Sequence, residues 1–158
     1  GSSNGMFIYD ATNGKNPSAE GQFAHTRSCD PVIADGKYAY VTLRSGNQCM
    51  GFTNQLEILD ISDLKNPSLI GTYPLTNPRG LSKDGNLLFI CDGSDGLKIF
   101  DATDVNHLQL INTIPGMETF DVIAWNHSAL VVANGGIYQY DYSDPNNIRL
   151  MSKIEVKQ

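Results

Sequence analysis

The chain has 158 residues, a formal net charge of −6 and only 18% charged residues against 15 glycines, a balance that favours strands joined by tight turns and leaves room for one domain or a portion of one. Lys and Arg are scattered singly and no apolar run approaches the roughly 18 residues of a membrane-crossing helix, so nucleic acid is excluded as a partner and no transmembrane segment is expected. Three cysteines at 29, 49 and 91 and three histidines at 25, 107 and 127 show no metal-ligand spacing, so neither metal nor cofactor is expected.

The first predicted strands cover residues 5–11 and 18–24. The earlier of the two, GMFIYDAT at 5–12, recurs as QLEILDIS at 55–62, GLKIFDAT at 96–103 and GIYQYDYS at 136–143. The aspartates Asp10, Asp60, Asp101 and Asp141 keep the phase at intervals of 50, 41 and 40 residues. Each is followed by Ser or Thr at the second position and by Asn13, Asp63, Asp104 or Asp144 at the third. Self-similarity at this period is the mark of a repeat architecture.

Between these anchors each unit carries a second hairpin. In chain order the hairpins run over 31–42, 79–90 and 120–132, turning at Asp35-Gly36, Asp84-Gly85 and Asn126-His127. Asp-Gly between apolar runs is a strong hairpin signal, and a type I′ turn with two positive φ angles is expected at all three, most weakly at Asn126-His127. The runs 38–41, 87–90 and 130–132 are continuously apolar, as expected of strands covered on both faces. The segments 68–73, 108–114 and 149–156 are mixed, as expected of outer strands. Trp125, inside an inner strand, is expected to serve blade packing, with sugar stacking as the alternative. Four strands in about 40 residues make a β-propeller blade.

Leu56 to Asp60 and Leu97 to Asp101 are close to the sequence LVIVD, and the units resemble the LVIVD repeat. That resemblance implies an all-β propeller of four-stranded antiparallel blades. It also implies an exported or lipid-anchored protein on a bacterial or archaeal surface, hence an extracytoplasmic location, without an assigned biochemical activity. The phase divides residues 1–158 into an outer half-blade (5–24) and three complete blades (25–75, 76–115 and 116–158), a partial propeller of fourteen strands. As written, the circle does not close. The chain is the C-terminal part of a longer propeller, or it associates through its open ends, or it forms an open half-ring; the first case requires apolar surface at both end faces.

Residues found in every unit belong to the blade, which leaves the singular residues for other roles. The four anchoring aspartates and Asp63, Asp104 and Asp144 are therefore expected to bind turn backbone. The singular residues gather in the loops of one rim. His25, Arg27, Arg44, Arg79, Glu118 and Asp121 are the candidate ligand contacts there. The three arginines suit a carboxylate or sulfate; alternatively each pairs with Asp30, Asp92, Asp95 or Asp121. Cys29 and Cys49 flank one hairpin and are within reach of a disulfide, which would stand outside a reducing compartment. Cys91 ends an apolar run and reads as a buried, free thiol.

His25 with Cys29 or Ser28 has the elements of a nucleophile and base, but the chain has no nucleophile elbow. Glu118 and Asp121 could serve as a glycosidase pair at a suitable separation. The leading expectation is a non-enzymatic module that binds a protein or glycan through its loop rim. The alternative is a hydrolase or lyase at the channel mouth, with His25, Arg27, Arg44 and Arg79 on the substrate.

Overall fold

The structure is a computed structural model in which residues 4–24, 31–46 and 52–156 are described. These residues form fourteen strands and no helix. The half-blade holds β1 (Met6–Asp10) and β2 (Ser18–Phe23). Blade 1 holds β3 (Val32–Asp35), β4 (Tyr38–Leu43), β5 (Gln55–Asp60) and β6 (Ser68–Pro74). Blade 2 holds β7 (Leu81–Asp84), β8 (Leu87–Cys91), β9 (Leu97–Asp101) and β10 (Gln109–Ile114), and blade 3 holds β11 (Thr119–Trp125), β12 (Ser128–Ala133), β13 (Gly136–Asp141) and β14 (Arg149–Glu155). Each blade is an antiparallel meander in chain order, and the half-blade is a two-stranded sheet. The architecture is all-β, a partial propeller as the repeat phase predicts.

The repeated aspartates close the connection from third to fourth strand. Oδ1 of Asp10, Asp60, Asp101 and Asp141 accepts the backbone N–H two residues on, at 2.8, 2.7, 2.8 and 2.9 Å. Immediately after, the side chains of Asn13, Asp63, Asp104 and Asp144 do the same for Lys15, Lys65, Asn106 and Asn146. Two Asx turns in succession reverse the chain with little ordering of long side chains. The hydroxyls of Thr12, Ser62, Thr103 and Ser143, and then the same backbone N–H groups, hold the anchoring carboxylates below the usual range. Asp141, further paired with Arg149, is lowered to about 2.

The inner hairpins correct one expectation. In blades 1 and 2 the Asp is the last residue of its strand and the Gly is the first of two turn residues. Gly36 and Gly85 alone take positive φ, 57° and 54°, the pattern of a glycine-first type II′ loop. Asn126 and His127 of blade 3 are the pair with both φ positive, 48° and 65°, as type I′ requires. Asparagine tolerates that region because its short side chain can bond locally.

A second repeated device is visible only in the register. Each third-to-fourth strand pairing shifts once, at Ile8/Tyr9, Ile58/Leu59, Leu110/Asn112 and Gln139/Tyr140. These bulges add twist to the outer strand. Gly5, Gly96 and Gly136 open three of the third strands at positive φ, where a Cβ would strike the carbonyl oxygen of Phe23, Ile114 or Ile154 at 2.0–2.1 Å. The close approach of the fourth strand requires the missing side chain.

Residues 1–74 and 75–158 are two compact units. In the first, Met6 of the half-blade, with Ile8 and Phe23 beside it, packs on Ala39, Val41, Leu43 and Leu59 of blade 1. In the second, Phe89, Cys91, Leu97 and Ile99 of blade 2 face Val122, Ala124, Ala129, Val131, Tyr140 and Tyr142 of blade 3. The Phe89 and Tyr142 rings lie 4.8 Å apart, and the Tyr142 hydroxyl donates to Asp84 at 2.6 Å. Cys91 is fully buried and free, and burial pushes its thiol up to about 12. Blade 3 departs from the expectation of strands covered on both sides. Leu130 and Val132 are half-exposed and Trp125 is 75% exposed.

Candidate binding rim

Of the rim residues singled out from sequence, His25, Arg27, Cys29 and Cys49 lie outside the described residues, and with them the nucleophile and disulfide pairings. Arg44, Arg79, Glu118 and Asp121 are described. Arg44 follows β4 and is half-buried; beside it the Ser45 N–H donates to Asn54 Oδ1 at 2.8 Å, closing the base of the enlarged loop. The neighbouring third strand carries Glu57, 6% exposed. Its Oε1 accepts from Gln55 Nε2 at 2.9 Å, while Oε2 has no hydrogen-bond partner among the described residues.

In the second unit the loops 75–80, 92–96 and 115–119 build a connected polar cluster. Asp92 is its centre, with a carboxylate that is fully buried. Its two oxygens accept the backbone N–H of Thr76 at 3.0 and 3.1 Å, Oδ1 accepts that of Asn77 at 2.7 Å, and Oδ2 takes the Lys98 ammonium. Asp95 accepts from the Thr76 hydroxyl at 2.6 Å and from Lys98 at 3.2 Å. Burial alone would lower the Lys98 pKa. The hydrogen bonds and charges of Asp92 and Asp95 outweigh it and hold the ammonium above its usual range. Thr76 and then Lys98 hold Asp95 below the carboxylate range. A buried carboxylate with this many donors pins the entry loop of blade 2 to its own third strand.

Arg79 carries the cluster into blade 3. Its guanidinium bonds Glu118 Oε1 at 2.6 Å and lies 4.5 Å above the Phe120 ring, while its backbone N–H donates to the Cys91 carbonyl at 2.7 Å. Asp121 Oδ1 accepts the N–H of Val122 at 2.9 Å and stands against Gly80, where an added Cβ would meet it at 2.0 Å. Within this cluster of the second unit Arg79 is therefore engaged by a carboxylate and a ring, and Lys98 by two carboxylates. The faces left to solvent are those of Glu118 and Asp95, about two-fifths exposed each, and Phe120 at 37%. Sequence reasoning found Arg79, Glu118, Asp92 and Asp95 and placed Phe120 in a rim loop, but missed Lys98. The signal for Lys98 was available: Phe7, Glu57, Lys98 and Tyr138 share one repeat position, so a charge there interrupts an otherwise apolar strand.

No curated protein matches the chain in sequence. Among solved structures it is similar to a protein from Lactobacillus plantarum, with TM-score 0.74 and 13% identity over 99% of this chain and 50% of that one. It is also similar to a chain of a nidogen/laminin complex, with TM-score 0.65 and 12% identity over 98% of this chain and 56% of that one. AztD from Citrobacter koseri matches with TM-score 0.59 and 12% identity, over 89% of this chain and 38% of that one. At such identities the likeness concerns the fold, and the chain spans about half the length of the first of these structures. Residues 26–74 match the LVIVD repeat. The segment that holds blade 1 is thus similar to the LVIVD repeat, and the chain has the fold of a partial β-propeller.

Proposed function

We propose that this protein is a non-enzymatic, extracytoplasmic propeller module that binds a protein or glycan through its loop rim. The observation that carries the reading is the Arg79, Glu118 and Phe120 bridge beside the Asp92 cluster. Its cations are spent on internal pairing, which fixes three loops in one arrangement while leaving carboxylate edges and an aromatic ring open. A preordered surface of this kind loses little entropy on association, which is what recognition needs. An aromatic flanked by carboxylates offers a stacking plane and acceptors to a sugar, or a hot-spot ring and complementary charge to a basic protein surface. A similar fold in a chain crystallised within a nidogen/laminin complex favours a protein. The surface location rests on the LVIVD match.

The reading is tested by screening the purified chain against protein and glycan arrays, with Phe120→Ala and Glu118→Gln beside it. Loss of about tenfold or more in affinity for Phe120→Ala is expected, the effect of a typical hot-spot truncation. Ligands retained unchanged by both variants would remove the rim from the reading. Fractionation of the native host, with the protein recovered only from cytoplasm, would remove the location.

A further inference from the structure

We propose that the inner-hairpin turns of blades 2 and 3 form a second binding site, for a single neutral pyranose unit, at the end of the blades opposite the rim. β8 starts at one of these turns and ends at the rim loop 92–96, so the two sites lie at opposite ends of one strand. Asp84 to Leu87 of blade 2 and Asn126, His127 and Tyr142 of blade 3 line an open pocket of about 310 Å³. That volume is at the small end of the range for ligand pockets.

The repeat shows that a blade does not need these side chains. The residue after each anchoring aspartate is Ala11, Ile61 or Ala102 elsewhere and Tyr142 here. Tyr142 is 2% exposed, and the His127 ring stands 6.0 Å from its ring, tilted by 56°. The turn opens with Gly36 or Gly85 in blades 1 and 2. Blade 3 puts Asn126 there and His127 after it, at φ of 48° and 65°. Glycine would suit both positions better, and a side chain kept on strained backbone beside a pocket points to a use for that side chain.

The polar groups of the pocket are only partly spent. The Tyr142 hydroxyl donates to Asp84 Oδ2 at 2.6 Å, which leaves Oδ1 of that carboxylate open. The side chains of Asn86, Asn126 and His127 make no hydrogen bond among the described residues. Together they set acceptors and donors side by side: the carboxylate oxygen accepts, an imidazole N–H donates, and an amide does both. A hydroxyl also does both, so neighbouring hydroxyls of a sugar match the set. Charge excludes the other ligands of this size. An anion would meet Asp84. A cation would find a single carboxylate that already serves a hydroxyl, with the Lys83 ammonium held on the Gly85 carbonyl of the same turn. Leu87, half-buried, and the imidazole plane offer apolar surface to the C–H face of a pyranose. None of this depends on the rim reading.

Amide chemical shifts of the 158-residue chain test the inference, in titrations with the methyl glycosides of glucose, galactose, mannose and N-acetylglucosamine. Glucosamine, glucuronate and Zn²⁺ alone serve as charged probes. At least one neutral glycoside is expected to shift the amides of Asn86, Leu87, Asn126 and His127 saturably in the millimolar range, with the same affinity in the rim variant Phe120→Ala. Asp84→Asn keeps an acceptor for the Tyr142 hydroxyl and is expected to weaken binding about tenfold, the size of one hydrogen bond to a charged group. His127→Gly removes the ring and relieves the backbone, so it is expected to raise the urea midpoint while weakening the glycoside, a pairing that a purely structural residue does not give. No saturable shift with any neutral glycoside, shifts confined to the rim loops, preference for a charged probe, or unchanged affinity in both Asp84→Asn and His127→Gly would each overturn the inference.

Discussion

The two faces of the blade 3 sheet differ in cover far more than in composition. One face presents Val122, Ala124, Ala129 and Val131 to blade 2, none more than 6% exposed. The other presents Ile123, Trp125, Leu130, Val132, Ile137 and Ile154, from 38% to 75% exposed. The larger side chains are on the open side. In blade 2 the matching positions, Phe89, Cys91 and Leu97, are the ones buried under blade 3. A sheet apolar on both sides has the composition of one that lies between two layers, and among the described residues only one of its faces is covered.

The sharpest way to break this comparison uses neighbours on one strand. Val131→Asp puts an uncompensated charge into the covered face and is expected to cost about 3–5 kcal/mol, the penalty of an unpaired buried charge. Leu130→Asp points the other way and is expected to fall within about 0.5 kcal/mol of the parent, as exposed substitutions do. Urea midpoints measure both. Equal losses would mean that the open face is covered in solution. A smaller effect is expected from Tyr142→Phe, which removes the hydroxyl bound to Asp84 across blades 2 and 3. Hydrogen bonds to charged groups contribute about 1.5–3 kcal/mol, and a loss in that range should appear without a change in m-value.

Acid acts on the turns and leaves the faces alone. Asp10, Asp60, Asp101 and Asp141 have folded pKa values depressed from 3.8, Asp141 to about 2, by the hydroxyl and N–H donors of the turn. A depressed carboxylate contributes stability that is present above the unfolded pKa and is lost as pH falls through the folded one. Stability is therefore expected to be flat above about pH 4 and to decline towards pH 2. Asp141→Asn should lower stability at neutral pH and reduce that slope, measured by urea midpoints across the range.

The fold was legible because the turn chemistry repeats: an aspartate closing four equivalent strands names its own role. The faces were less legible. Period-2 reasoning separates apolar from polar sides, and in β11 and β12 both sides are apolar, so the run 130–132 read as covered throughout when Leu130 and Val132 are open. The rim was legible by residue and not by partner. Arg79 and Glu118 stand 39 residues apart and meet only because two blades pack, and Lys98, whose charge stood out in the strand pattern, finds its partners Asp92 and Asp95 only through the fold. His25, Arg27, Cys29 and Cys49 fall outside the described residues, so the reading of those loops rests on sequence.

Trp125 offers the gentlest test of the comparison, with almost no cost in stability. It is the single tryptophan of the chain, and it stands on the open face at 75% exposure. Its emission should be red-shifted and quenched by acrylamide in the folded chain, and should change little on unfolding, because both states leave the ring in water. Circular dichroism should report the same transition with full amplitude. Any layer that settles on the face, whether a further blade or a second copy, takes the indole out of water and must shift the emission to the blue and slow quenching. Trp125→Ser should keep the urea midpoint within about 0.5 kcal/mol of the parent while weakening concentration-dependent association in sedimentation. A blue-shifted, unquenched tryptophan in the dilute monomer would mean that the two faces are equally covered, and the comparison would fail at its most exposed residue.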